Sequence, residues 1–200
     1  VQAVSGGMGP LGAWRGFEEL YQMGLIDRLP KIAVIQAAGC APMVSAFQAG
    51  RAEPDIVSQP NTHIATLATG NPGIAYTQLR QIILDHGGCM ESVSDDESFR
   101  AMHVMAKMDG LSIEPAAATA FAGLFKLIGL QVIKRTEIVV VNCSGHTFPV
   151  EKELLGEDWA RNFEAPQRVV TETTPAILVS SVPQEGLLSA LELLDDRMHD

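Results

Sequence analysis

The chain has 200 residues, of which 46% are hydrophobic and 19% are charged, and this is enough for one domain with a sizeable core. A formal net charge of -10 argues against a nucleic-acid partner, and no apolar run reaches the roughly 18 residues of a membrane span. The three cysteines are odd in number and lack metal-ligand spacing, so we predict reduced thiols, no metal site and a cytoplasmic location.

The first predicted elements are a short strand over 1–4, a glycine-rich loop and a helix over 11–23. The loop consists of Ser5, Gly6, Gly7, Met8 and Gly9. Such a junction presents backbone N–H groups and the positive end of the helix dipole, which together suit a phosphate. Glycines let the backbone approach the anion and adopt positive φ where the turn requires it. The loop lacks the Lys-Ser/Thr end of a Walker A sequence and the G-x-G-x-x-G spacing of a dinucleotide site, so a single phosphate group fits best.

Helical and strand patterns then alternate along the chain. Strands are predicted over 31–36, 90–93 and 137–142, and the last of these is the clearest candidate for a central strand. Helices are predicted over 42–50, 76–86, 95–108 and 115–128. Ser94 is the predicted N-cap of the helix over 95–108, with acidic residues in its first turn. Residues 51–72 are rich in Pro, Asn, Thr and Ser and are predicted to form a long functional or mobile loop.

This alternation predicts an α/β fold with a three-layer αβα parallel sheet. In such sheets ligands bind beyond the carboxyl ends of the strands. The glycine loop and the segment Ser144-Gly145-His146 both follow predicted strands, so we expect them to meet at one crevice. We assign residues 1–155 to this domain portion and 156–200 to a C-terminal extension that is a candidate interface element.

Five segments match one known family in order and spacing over roughly residues 1–150. They are the glycine loop with its helix, the strand and turn at 33–42, Thr-Gly-Asn-Pro at 69–72, Glu-Pro-Ala-Ala-Ala at 114–118, and Asn-Cys-Ser-Gly-His at 142–146. Together they resemble the fold-type II pyridoxal-phosphate (PLP) enzymes, nearest to threonine synthase. The resemblance implies the C-terminal half of the large domain of such an enzyme, with pyridoxal 5'-phosphate as cofactor.

The resemblance also implies roles for individual residues. Backbone N–H groups of the glycine loop would hold the PLP phosphate, and Ser144 would hydrogen-bond the pyridine nitrogen. Glu114 would lie near the cofactor, and Gly70 and Asn71 would face the substrate. From the residues alone, the glycine loop could be a plain strand–helix turn, Ser144 a turn or cap residue, and Glu114 a helix-start carboxylate.

The chain departs from the family in two respects. The family's Schiff-base lysine and its loop for the substrate carboxylate lie upstream of the phosphate loop, so the catalytic lysine is not expected in this chain. We nominate none of the lysines present, which are Lys31, Lys107, Lys126, Lys134 and Lys152. Ser-Gly-Gly-Met-Gly also stands where the family has Gly-Asn-Ala-Gly-Asn, a change towards the loops of dehydratases and cysteine synthases.

The implied activity is that of a PLP-dependent lyase of threonine synthase type, which converts O-phosphohomoserine to threonine by β/γ-elimination and replacement. Asn71, Thr77 and Arg80 are candidates for contacts to the substrate phosphate. Two alternatives stay open: a threonine/serine dehydratase or a cysteate or cysteine synthase, and a non-catalytic half-domain that binds a phosphorylated metabolite. The expected partners are a small amino-acid substrate and either further copies of the chain, as in a dimer, or the missing N-terminal half. An open sheet edge in a partial chain requires such a cover.

Overall fold

The computed structural model describes residues 1–147. Its strands are β1 (Gln2–Ala3), β2 (Ile32–Ala37) and β3 (Gly88–Val93). Its helices are α1 (Met8–Gln22), α2 (Pro42–Gln48), α3 (Ile74–His86), α4 (Asp95–Asp109) and α5 (Pro115–Gly129), with short 3-10 turns at Ala38–Cys40 and Ala65–Leu67. Across this part of the chain, no helix combines the length and the apolar character needed to cross a membrane. The predicted extension over 156–200 and its boundary lie outside the described residues.

The three strands are parallel, in the order β1-β2-β3. Successive β2 side chains enter two different cores, as the period-two alternation of a strand requires. Val34 packs in a cluster with residues of α1, α2 and α3, whereas Ala33 and Ile35 pack in a cluster with residues of α4 and α5. Helices therefore cover both faces of the sheet, which confirms the predicted three-layer αβα fold.

Close packing of α5 on the sheet depends on Gly123. A Cβ atom at this position would lie 2.4 Å from Ile35 Cγ1, closer than real side chains approach. Ile35 is fully buried. The small residues of α5 therefore let this helix lie directly on β2, at the centre of the sheet.

The start of α4 is determined by a capping box, as sequence predicted for Ser94. The Ser94 hydroxyl accepts a hydrogen bond from the Glu97 backbone N–H (3.2 Å), and the Glu97 carboxylate accepts one from the Ser94 backbone N–H (2.7 Å). This hydrogen bonding outweighs partial burial and lowers the pKa of Glu97. A residue pair three positions apart thus satisfies two N–H groups that a helix start leaves free.

The predicted central strand over 137–142 is wrong for the described structure, which assigns no strand there. The segment does lie beside the start of β1, since the Val1 amino group donates to Val140 O (2.8 Å) and the Asn142 N–H donates to Val1 O (3.0 Å). The side chains of Ile138 and Val140 are 86% and 77% exposed. Because β1 is only two residues long, it offers too few backbone partners for the segment 137–142 to form a strand beside it. No described helix covers the side chains of Ile138 and Val140.

The long loop over 51–72 is tied to the rest of the fold at defined points. Its two ends meet where the Val57 N–H donates to Gly70 O (2.9 Å). Midway, the Thr62 hydroxyl and the His63 N–H each donate to the Asp95 carboxylate at 2.6 Å. Asp95 is the first residue of α4, so this helix start holds the loop in place beside the carboxyl edge of the sheet.

Candidate functional site

The glycine loop connects β1 to α1 in the geometry expected of it. Gly7 is the N-cap of α1 with φ +85° and ψ +4°, a left-handed conformation that favours glycine. A Cβ atom there would lie 2.7 Å from Met43 Cε and 2.9 Å from Leu79 Cδ1. The inner side of the loop is therefore closed by the core, and only the opposite side is open to a ligand.

The N-terminus of α1 keeps the positive electrostatic potential of a helix start. It has no side-chain cap and no acidic residue in its first turn. The helix is 15 residues long, so its N-terminal N–H groups carry the positive end of a substantial dipole. The loop and helix start thus offer backbone donors and positive potential to an anion.

These donors open into a cavity of about 360 Å³. Its lining includes all seven residues for which the sequence predicts cofactor contacts: Ser5, Gly6, Gly7, Met8, Gly9, Glu114 and Ser144. They come from three segments, which are the glycine loop, the start of α5 and the loop around Ser144, and the glycine loop lies more than a hundred positions before the other two. The structure thus brings the two predicted halves of the site together, while the individual roles stay predictions.

Glu114 and the segment around Ser144 are hydrogen-bonded to each other and together form one wall of the cavity. The Glu114 N–H donates to Gly145 O (3.2 Å), and Ile113 and His146 form an antiparallel bridge. A Cβ atom at Gly145 would lie 2.0 Å from Glu114 Oε1, so the carboxylate lies directly over this glycine. Partial desolvation raises the pKa of the Cys143 thiol and the nearby Glu114 carboxylate raises it further, so this thiol stays protonated at neutral pH.

Gly70 and Asn71 do not line the glycine-loop cavity. A Cβ atom at Gly70 would lie 1.9 Å from Val57 O, so this glycine is needed for close packing within the loop. The Asn71 side-chain oxygen accepts a hydrogen bond from the Gly73 N–H (3.0 Å). Asn71 and Thr77 line a second open cavity of about 580 Å³. Contacts of Asn71 and Thr77 to substrate stay predictions, and this second cavity is where they would be made.

Several residues of the site were missed by sequence reasoning. Thr66 and Thr69 line the glycine-loop cavity, and the Thr69 methyl carbon lies 3.7 Å from where a Gly6 Cβ would be. Gln2 also lines the cavity, with its side-chain nitrogen 2.3 Å from a Cβ built at Gly9. The length and polarity of the 51–72 loop were the only signal for Thr66, whereas Thr69 also belongs to the Thr-Gly-Asn-Pro segment. Within the described residues, no lysine lines this cavity.

The fold and the site together define an α/β protein of the class in which ligands bind beyond the carboxyl ends of parallel strands. Residues 1–145 match the family described as "Pyridoxal-phosphate dependent enzyme". The chain belongs to this family, whose cofactor is pyridoxal 5'-phosphate. This confirms the resemblance and the cofactor that the sequence motifs predicted.

Individual relatives agree with this assignment. The chain is 38% identical over 133 residues to a threonine synthase of Methanosarcina acetivorans, an overlap that covers 66% of this chain and 33% of the relative. It is 29% identical over 197 residues to a cysteate synthase of Methanospirillum hungatei, covering 94% of this chain and 46% of the relative. A fungal L-serine ammonia-lyase from Rhizomucor miehei has a similar fold, with a TM-score of 0.53, 20% identity, and coverage of 76% and 47%. The chain therefore spans about a third of the threonine synthase that it matches.

Proposed function

We propose that this chain forms the cofactor-binding part of a PLP-dependent lyase of threonine synthase type. The observation that carries the proposal is that the five glycine-loop residues, Glu114 and Ser144 line one cavity. In this proposal the backbone N–H groups of the loop bind the phosphate of PLP, and the Ser144 hydroxyl binds the pyridine nitrogen. The similarity to threonine synthases supports the reaction type.

The residues present suit PLP. The uncapped start of α1 supplies donors for a phosphate, and the space beside Gly6 is open except for the Thr69 methyl group. A volume of about 360 Å³ falls in the roughly 300–1,000 Å³ range of small-molecule sites. The loop thus has both the room and the donor groups that the cofactor's phosphate requires.

The chemistry follows from how the protein holds the ring. PLP, when bound, supplies an electron sink for negative charge at the α-carbon of an amino acid. Ser144 offers a neutral hydroxyl, which leaves the ring nitrogen largely unprotonated and suits elimination and replacement. Glu114 supports this contact, because its hydrogen bond to Gly145 O holds the segment that carries Ser144.

For the substrate we propose O-phosphohomoserine, from which phosphate leaves and to which water adds to give threonine. Asn71, Thr77 and Arg80 are the candidates for contacts to its phosphate, and the first two line the second cavity. A β-replacement synthase is the second candidate, because the similarity to a cysteate synthase extends over 94% of the chain. Release of inorganic phosphate from O-phosphohomoserine with formation of threonine supports this reaction, whereas formation of cysteate or cysteine, or release of ammonia from threonine, would indicate one of the alternatives.

The binding site is tested by Gly6→Asp. A carboxylate beside the phosphate should repel it and weaken PLP binding at least about tenfold, equivalent to 1.4 kcal/mol. Gly6 has no positive φ and no close contact, so the variant should fold. Titration of the 200-residue chain with PLP, followed by absorbance, measures the affinity.

Gly16→Asp is the matched control. It adds the same charge to α1 at an exposed position with nothing within 4 Å of the new Cβ. This control should bind PLP like the unmodified chain. Equal affinity of Gly6→Asp and the unmodified chain would mean that the phosphate binds elsewhere, and no saturable binding by the unmodified chain would refute the proposed function.

A further inference from the structure

Gln36 is a fully buried polar side chain directly beneath the glycine loop. It lies near the carboxyl end of β2, on the same face as Val34. Its side-chain oxygen accepts hydrogen bonds from the Met43 N–H (2.9 Å) and the Val44 N–H (3.2 Å). Its side-chain nitrogen donates to Ser5 O (3.4 Å). A buried amide is retained in a core only when its polar atoms are paired, and here both ends are.

The two N–H donors of α2 fix which way the amide faces. Met43 and Val44 lie in the first turn of α2, whose N-cap Ala41 provides no side-chain hydrogen bond. Only the oxygen of Gln36 can accept from these donors, because the amide nitrogen would face them with hydrogens. The nitrogen of Gln36 must therefore point away from α2, and there it meets the carbonyl of Ser5.

This contact determines the direction of a loop N–H group. The carbonyl of Ser5 and the N–H of Gly6 belong to one planar peptide unit, and no cis peptide bond occurs in the described residues. In a trans peptide the two groups point in opposite directions. Because the Ser5 carbonyl points inward to Gln36, the Gly6 N–H points outward, to the side on which Ser5 and Gly6 line the cavity.

We propose that Gln36 is a positioning residue that aims the Gly6 N–H at the phosphate of the ligand. The proposal rests on the proposed function of the glycine loop as the PLP phosphate site. Gln36 does not touch the ligand itself, since it is absent from the cavity lining. It links α2, β2 and the loop, so the core determines the orientation of a ligand-binding group at the surface.

The Gln36→Glu variant keeps the hydrogen-bond acceptor of the Gln36 side chain and removes its donor. A carboxylate still accepts from Met43 and Val44, but it cannot donate to Ser5 O and repels it instead. We expect the Ser5–Gly6 peptide to turn and PLP affinity to fall about tenfold or more. The 31P resonance of bound PLP and the 13C resonance of the Ser5 carbonyl should both shift. Gln36→Met, which has similar volume and no charge, should show the same direction of change.

Ser98→Ala is the matched control. Ser98 is likewise fully buried and hydrogen-bonded, to Ser94 O (3.2 Å) and Thr119 Oγ1 (3.0 Å), but it does not line the cavity. Its loss should lower stability and leave PLP affinity and the 31P resonance unchanged. A merely structural role of Gln36 would give this same pattern.

The outcomes separate this inference from the proposed function. Folded Gln36 variants that bind PLP like the unmodified chain, while Gly6→Asp still weakens binding, would overturn the role of Gln36 alone. Absence of PLP binding by the unmodified chain would refute both. If neither Gln36 variant folds, the amide resonances of the unmodified chain are measured with and without PLP. PLP must shift the Gly6 N–H resonance, and an unshifted resonance overturns the inference.

Discussion

Gly7 is constrained in two ways at once, by its backbone and by its neighbours. Its left-handed φ of +85° disfavours any side chain, and the core atoms of Met43 and Leu79 occupy the space of a Cβ. Gly6, one residue earlier, has neither constraint. The two adjacent glycines thus have different functions: Gly7 is required for the fold, and Gly6 leaves room for a ligand.

Gly7→Ala should accordingly lower the free energy of unfolding by about 1–3 kcal/mol, since strain and overpacking add. Urea denaturation measures the loss. Gly12→Ala, at an exposed helical position with nothing within 4 Å, should instead raise the free energy of unfolding by up to about 1 kcal/mol. Equal stability of Gly7→Ala and the unmodified chain would contradict the assigned conformation.

At the residue scale the sequence predicts the site in part. The loop glycines, Glu114 and Ser144 are recognisable because they follow predicted strands or start helices within motifs. Thr66 has no such position, since it lies in an aperiodic loop whose path is determined by distant contacts, and Thr69 belongs to a motif but has no role predicted from it. In the sequence, Gln36 is one residue of a predicted buried strand. Its proposed positioning role becomes visible only when the fold brings Ser5 and α2 next to it.

Among the elements, the helices follow most directly from the sequence. All five lie within a few residues of their predicted bounds, because apolar periodicity and end signals such as Ser94 act locally. The segment 137–142 shows the opposite case. Its apolar run is typical of a buried strand, but burial depends on neighbours, and β1 provides too few hydrogen-bonding partners.

The capping box of α4 should make stability depend on pH. Hydrogen bonds to Ser94 lower the pKa of Glu97, so its contribution is complete above the ordinary glutamate pKa of about 4.3 and is lost as pH falls through the lower folded-state value. Glu97→Gln should therefore be less stable than the unmodified chain at neutral pH, and the difference should shrink under acid conditions. Thermal denaturation at several pH values measures it; a difference that grows towards low pH would contradict the assignment.

For the molecule as a whole, the segment 137–142 beside β1 is an exposed apolar edge, and it carries the two most exposed large apolar side chains among the described residues. Ile138 and Val140 present large apolar side chains to solvent, although Val140 O and the Asn142 N–H are hydrogen-bonded to Val1. Such edges pair with other chains. We therefore expect the 200-residue chain to self-associate, in line with the oligomer anticipated from sequence.

Replacing both Ile138 and Val140 by Lys should shift the chain towards monomer in sedimentation velocity, since charges on an edge oppose pairing. Ile56→Lys, at another exposed apolar position, is the control and should not alter association. An unmodified chain that sediments as a single stable monomer would show that this edge needs no cover.

The anchoring of the 51–72 loop has a further consequence, for the entropy of ligand binding. Contacts to Asp95 and the closure between Val57 and Gly70 divide one long flexible segment into short ones, whose conformational freedom is lost when the domain folds. The wall formed by Thr66 and Thr69 is thus ordered before any ligand arrives. Binding then requires little further ordering of this wall, so the cavity is preorganised. The loss of conformational entropy in this wall therefore subtracts little from the affinity for a ligand.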